Sequence, residues 1–195
     1  SNTYATGDVN GDDSDAGVND QNQNIGGLVG YNHDGGVVSE SYATGEVAGD
    51  KNVGGLVGSN KNATVSESYW STQTATVDTS AGGTPLIPAR MTGPGALNGG
   101  NMNSLETGTW TTNSVTSTVR PYPTLTRSPQ TPPPQALMFS VGDGSSADPY
   151  LIIDWYQLNA TRDNLAANYT LGANLTETTA GHRFIAADAA NDGAG

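Results

Sequence analysis

The chain of 195 residues could bury one sizeable core or two small ones, yet only 34% of it is hydrophobic and 26 residues are glycine, which excludes a compact helical globule. Nineteen acidic against seven basic residues give a net charge of -12, with no Lys or Arg in the first 50 positions, a balance that repels nucleic acid and anionic membrane. The absence of cysteine excludes a disulfide framework and a thiolate metal site, and no apolar run is long enough to span a bilayer.

The chain opens on "SNTYATGDVNG" and, after an acidic stretch, "NIGGLVG"; residues 39–58, "SESYATGEVAGDKNVGGLVG", repeat both phrases. Tyr4, Gly7, Val9 and Gly11 match Tyr42, Gly45, Val47 and Gly49, while Ile25, Gly26, Gly27, Gly30 and Asn32 match Val53, Gly54, Gly55, Gly58 and Asn60. The spacing is 27 or 28 residues, and the first copy carries roughly ten extra residues between Gly11 and Ile25, as a loop insertion on a repeated scaffold would. A third copy begins as "SESYW" at Ser66 and then dissolves. Gly, Asn, Ser, Thr and Val dominate here, which predicts short strands joined by tight turns.

A repeat of this length without a helix signature has room for about three short strands, one rung of a parallel β-solenoid whose rungs stack at about 4.8 Å. Like residues should then form ladders: Tyr4 on Tyr42 on Tyr69, Val9 on Val47, Ile25 on Val53, Val38 on Val65, Asn32 on Asn60. The paired glycines of "GGLVG" answer a corner that needs either positive φ or close backbone approach. Alternation leaves open whether Leu28 and Leu56 or Val29 and Val57 face inward. Trp70 stands where the second copy has Ala43, which suits a last rung closed by one large ring.

The string "GGLVGxN" followed by "SxSYATGxVxG" resembles the GLUG motif, a repeat of bacterial and some archaeal surface proteins that include large adhesins. The resemblance covers residues 1–83 and implies a cell-surface or extracellular β-solenoid. "SYWSTQTATVDTSAGGTP" and the later "ARM", "TW" at Thr109–Trp110 and "YPTL" at Tyr122–Leu125 resemble the way such arrays finish, so residues 84–125 are expected to form a C-terminal cap. Residues 126–136, with four prolines, are expected to be a linker in polyproline II conformation.

Beyond the linker, residues 137–195 carry "GDGSSADPYLIIDWYQLNATRDNLAANYTLGANL". Trp155, Leu158, Arg162 and Leu165 fall at helical spacing, with Asp154 as helix start. The segment resembles the amino-terminal cap that precedes many GLUG-type solenoids. The chain thus joins the tail of one solenoid to the head of another: an excerpt of a longer or processed protein, beginning inside a repeat at Ser1, or a subunit whose head docks on the open first rung of the next.

Chemistry is sparse. Asp8, Asn10, Asp12, Asp13 and Asp15 place oxygen ligands at alternate positions, as calcium needs. An EF-hand-type loop, however, would have Gly where Asp13 stands and Glu where Asn19 stands, so a calcium site competes with a solvated insertion. Asp143 and Asp148 are a second calcium candidate of the same kind. Sequons stand at Asn62, Asn159, Asn168 and Asn174. His33 and His182 are single and far apart, and no hydrolase, metalloprotease or phosphate-loop motif occurs. The expected protein is mainly β and non-enzymatic, without an obligatory cofactor. It is a structural or adhesive element whose partners are itself or a surface receptor or glycan. A carbohydrate-binding or carbohydrate-active β-helix is the alternative.

Overall fold

The computed structural model describes residues 1–11, 23–72, 75, 77–93, 96–97, 101–105, 108–112, 119–128, 135–139, 141–179 and 182. The chain is mainly β. The first repeat copy contributes β1 (Tyr4–Ala5), β2 (Val9–Asn10), β3 (Ile25–Gly26), β4 (Val29–His33) and β5 (Val37–Ser39). The second contributes β6 (Tyr42–Ala43), β7 (Val47–Ala48), β8 (Val53–Gly54), β9 (Val57–Lys61) and β10 (Thr64–Ser66). The third starts with β11 (Tyr69–Ser71) and gives way to β12 (Thr84–Leu86) and the single turn α1 (Pro88–Met91). Then follow β13 (Trp110–Thr111), β14 (Val119–Pro121), β15 (Thr124–Leu125), β16 (Gln135–Leu137), β17 (Tyr150–Ile152), α2 (Trp155–Ala160) and β18 (Tyr169–Leu171).

Every strand of the first copy pairs in parallel with its counterpart in the second. Tyr4 lies beside Tyr42, Val9 beside Val47, Ile25 beside Val53, Asn32 beside Asn60 and Val38 beside Val65. Tyr69 then continues the column from Tyr42. Repeated text gives like neighbours at each level, so apolar side chains meet apolar ones and both sets of backbone groups are satisfied between copies.

The two faces of β6 and β11 enter different cores, as a period of two requires. On one face Ala43 and Trp70 join Ile25, Val47, Leu56, Val57 and Ala75. On the other Tyr42 and Tyr69 join Met91, Leu97, Met102, Leu105, Trp110 and Tyr122. The segment after β12 therefore lies along the flank of the repeats, over the tyrosine column, as well as beyond the last copy. It reaches the first copy, where the Trp110 indole Nε1 donates to Asn2 Oδ1 at 3.2 Å.

Leu56 and Val57 are both fully buried in the same core, although they are adjacent. The chain bends between β8 and β9, and the bend cancels the alternation that would have turned one of them outward. None of the glycines of the two GGLVG copies has positive φ, so of the two expected reasons for them close approach is the operative one. Left-handed backbone falls elsewhere, on Asn2, Glu40 and Glu67 at one equivalent position and on Asp34 and Asn62 at another.

Two expectations about the later chain differ from the structure. The strand β16 begins at Gln135, inside the proline-rich stretch, and pairs antiparallel with β14, because the prolines precede it and leave its own amides available. The helix expected through Leu165 stops at Ala160. The Thr161 hydroxyl bonds back to the Leu158 carbonyl at 2.8 Å, the backbone tightens into a 3₁₀ turn over Thr161–Asp163, and Leu165 stands 85% exposed beyond it.

Candidate functional site

In the repeat core Gly27 lies under Ala43, and a Cβ on Gly27 would stand 3.0 Å from the Ala43 Cβ. One copy later the pair becomes Gly55 and Trp70, and a Cβ on Gly55 would stand 2.1 Å from Trp70 Cε3. The large ring fills the space where a further copy would lie, and β12 pairs with β11 on its far side, with Pro85 beside Trp70. Residues 79–82 cover the rest of that end, where the Gly55 amide donates to the Thr79 carbonyl at 3.0 Å. The Ser80 hydroxyl accepts from the amides of Leu56 and Val57 at 3.1 and 2.9 Å, and the Ala81 amide donates to the Val57 carbonyl at 2.8 Å. At the opposite end β2, β3, β4 and β5 each pair with one strand only, the one in the second copy, among the described residues.

The tyrosine column is the most ordered polar feature. Tyr4 stacks on Tyr42 with centroids 5.3 Å apart, Tyr42 stacks on Tyr122 at 6.0 Å, and Trp110 tilts against both Tyr4 and Tyr42. The Tyr42 hydroxyl donates to the Pro123 carbonyl at 2.6 Å, and the Tyr69 hydroxyl bonds the Ser104 hydroxyl. Burial pushes the Tyr42 phenol well above its ordinary value, with Tyr4 and Tyr122 adding to the shift; burial does the same to Tyr122 against a hydrogen bond from Ser71. Both phenols thus stay neutral in the folded chain at pH values where the unfolded chain ionises them, at about 10. Stability should be level below that pH and then fall by about 2.7 kcal/mol per pH unit, about 1.4 for each tyrosine. Urea midpoints followed against tyrosinate absorbance from neutral to strongly alkaline pH check this, and Tyr42→Phe should halve the slope.

An amide ladder links β4 to the second copy: Asn32 Nδ2 donates to Asn60 Oδ1 at 2.9 Å and to the Thr64 carbonyl at 3.1 Å, while Asn60 Nδ2 reaches the Ala63 carbonyl at 3.2 Å. The Asn60 bond closes the turn between β9 and β10, and the two Asn32 bonds tie the end of β4 onto the second copy.

The proposed calcium ligands are only partly placed. Asp8 is exposed and its Oδ1 accepts from the Glu46 amide at 2.9 Å; Asn10 is exposed in β2, and Asp12, Asp13 and Asp15 lie outside the described residues. Asp143 Oδ1 closes its own turn by accepting from the Ser145 amide at 2.8 Å, which holds its carboxyl below the usual range, and Asp148 gives its amide to the Ser145 hydroxyl at 3.0 Å. Among the described residues no group of three or more His, Asp or Glu side chains could hold a metal ion. Of the sequon asparagines, Asn62, Asn168 and Asn174 are exposed and Asn159 is half-buried, bonded to Arg162. His33 is exposed at the end of β4, against Asp34 and stacked on Tyr31, while His182 packs on Trp155.

One constellation had no signal in the sequence. Arg120, 1% exposed, forks onto Asp154, 4% exposed, at 2.5 and 3.4 Å, and its Nε donates to the Thr92 hydroxyl at 3.0 Å. Asp154 also caps α2 by accepting from the Gln157 amide at 2.8 Å, and the Gln157 side chain donates to the Met138 carbonyl at 2.9 Å. The side chains on either side of the proline-rich stretch thus share one buried polar cluster.

These features define a mainly β protein built on repeated, in-register strands. Residues 21–48 match the family model described as the GLUG motif, so the chain carries a GLUG repeat. No curated protein and no solved structure matches the chain. No helix among the described residues is long and apolar enough to cross a membrane.

Proposed function

We propose that the chain is a non-enzymatic structural element of a cell-surface or extracellular protein, a parallel β-solenoid that serves as a stalk or a link in a longer fibre. The observation that carries this reading is the parallel pairing of residues 28 apart in sequence, Asn32 with Asn60 and Ile25 with Val53, between matching strands of the two copies. Such stacking makes length scale with repeat number, at little folding difficulty per added copy. In this reading residues 1–83 are rungs, 84–125 close them, and 137–195 open a following solenoid.

Glycan binding is the second reading, supported by Tyr31, 43% exposed and stacked on His33 at 4.7 Å, an aromatic platform of the kind a sugar ring can cover. Antibody raised against the chain should label intact cells of the source organism, and retention of all label inside permeabilised cells would overturn the placement. On a glycan array the chain should give no signal; a signal abolished by Tyr31→Ala would favour the second reading instead.

A further inference from the structure

The peptide bond between Asp148 and Pro149 has the parts of a self-cleaving bond gathered around it. The nucleophile is built in, because an oxygen of the Asp148 side chain can close on the carbon of the same residue's carbonyl through a small ring. The leaving group is the Pro149 nitrogen, a tertiary amide with no N–H. The Asp148 carboxyl is exposed and takes no hydrogen bond or ion pair among the described residues, so it is free to turn onto its own carbonyl. The Asp143 carboxyl, by contrast, is tied to the Ser145 amide at 2.8 Å.

What the fold adds lies at the carbonyl oxygen. The Asp148 carbonyl accepts from two successive amides, those of Asp143 and Gly144, both at 3.0 Å. The two amides converge on one oxygen because Gly142 and Gly144 adopt φ of +82° and +80°, on either side of Asp143, the alternation that builds an anion-binding nest. The nest is held from behind. Gly144 is buried, its own carbonyl accepts from the Asn168 amide at 2.8 Å and from Asn168 Nδ2 at 3.1 Å, and a Cβ on it would stand 2.5 Å from Tyr150 Cε2. Donors fixed beforehand at an oxygen that gains negative charge on attack are the arrangement of an oxyanion hole.

We propose that the chain cuts itself between Asp148 and Pro149 in mildly acid solution. A carboxylate oxygen of Asp148 forms a bond to its own carbonyl carbon, and the charge that moves to the carbonyl oxygen is taken up by the Asp143 and Gly144 amides. The bond from that carbon to the Pro149 nitrogen then breaks; the nitrogen keeps the electron pair and takes a proton from the solvent, leaving a cyclic anhydride on Asp148. Water opens the anhydride to two carboxyl groups. The cut ends stay together in the folded chain, because Asp154 remains on Arg120 and Gln157 on Met138, so the break shows only on denaturation. The inference does not depend on the stalk reading.

The test is the full chain held in mildly acid buffer with and without urea, sampled over days and read by mass spectrometry after denaturation. The expected products are residues 1–148 and 149–195, the second starting on Pro149, with masses that sum to the intact chain plus one water. Cleavage should run about tenfold or more faster in buffer than in urea, less than the roughly 10²–10³ that one donor of a closed oxyanion hole supplies, because this site is open to water. Asp148→Glu should stop it, since the longer arm closes a larger ring. Gly144→Val drives a side chain into the Tyr150 ring but leaves the bond and its carboxylate untouched, and should bring the rate in buffer down to the rate in urea. A rate in buffer equal to or below that in urea would mean only the ordinary acid lability of an Asp-Pro bond and overturns the proposal, as does cleavage that Gly144→Val leaves unchanged.

Discussion

Gly55→Val is expected to lower the stability of the chain by about 3 kcal/mol or more, the upper part of the range for overpacking a core. The added Cβ would stand 2.1 Å from Trp70 Cε3 and 2.5 Å from Cδ2, and these are atoms in the middle of a ring that is 2% exposed. The indole has nowhere to retreat, because Leu56, Val57 and Val47, all fully buried, surround the same space. Trp70→Ala alone should cost a comparable amount, about 3–5 kcal/mol, by leaving a cavity. The two changes together should cost less than their sum, since Ala at position 70 removes the ring atoms that the added side chain would meet and the valine fills part of the space they leave. Urea midpoints of the four proteins complete the cycle, and strict additivity would show that ring and glycine do not share the space.

Arg120→Leu should be as damaging for a different reason. It strands the Asp154 carboxylate in a site where it is 4% exposed, and removing one member of such a pair typically costs about 3–5 kcal/mol. The Thr92 hydroxyl loses the donor at 3.0 Å as well. Asp154→Asn keeps an oxygen to accept from the Gln157 amide and so keeps the helix cap, but carries no charge. The double variant Arg120→Leu/Asp154→Asn is therefore expected to recover most of the loss. Limited proteolysis gives a second readout: Arg120→Leu should expose the proline-rich segment to cutting before the repeats unfold. Equal protease resistance of the two proteins would mean that the ion pair does not hold the segment's flanks together.

The register of the repeats was legible because the same words recur at the same spacing, and only one alignment puts Tyr on Tyr and Asn on Asn. Repetition also marked where the array ends, since the third copy loses its text after Trp70. The direction of Leu56 and Val57 was not legible, because both residues are apolar and the bend between them is set by how β8 and β9 meet in space. Arg120 was invisible for another reason. In the sequence it is one of seven basic residues on an acidic chain, and nothing near it says that Asp154, 34 positions on, will face it across a proline-rich stretch. The flank over the tyrosines was half legible: "TW" and "YPTL" marked strands, while the path that carries Trp110 back to Asn2 depends on contacts more than 100 residues apart in sequence.

Trp70 has a bearing on how such a chain can change its length over generations. A duplication of the 28-residue unit ahead of it would insert a copy whose glycine meets an alanine, the combination already present at Gly27 and Ala43, and the array would grow by one step without disturbing its end. A duplication behind it would have to stack a fresh unit against the indole and displace Ser80 from the amides it satisfies. Growth is therefore polar at the level of the gene: one aromatic codon fixes the end at which new units are refused, and the number of units ahead of it is free to vary.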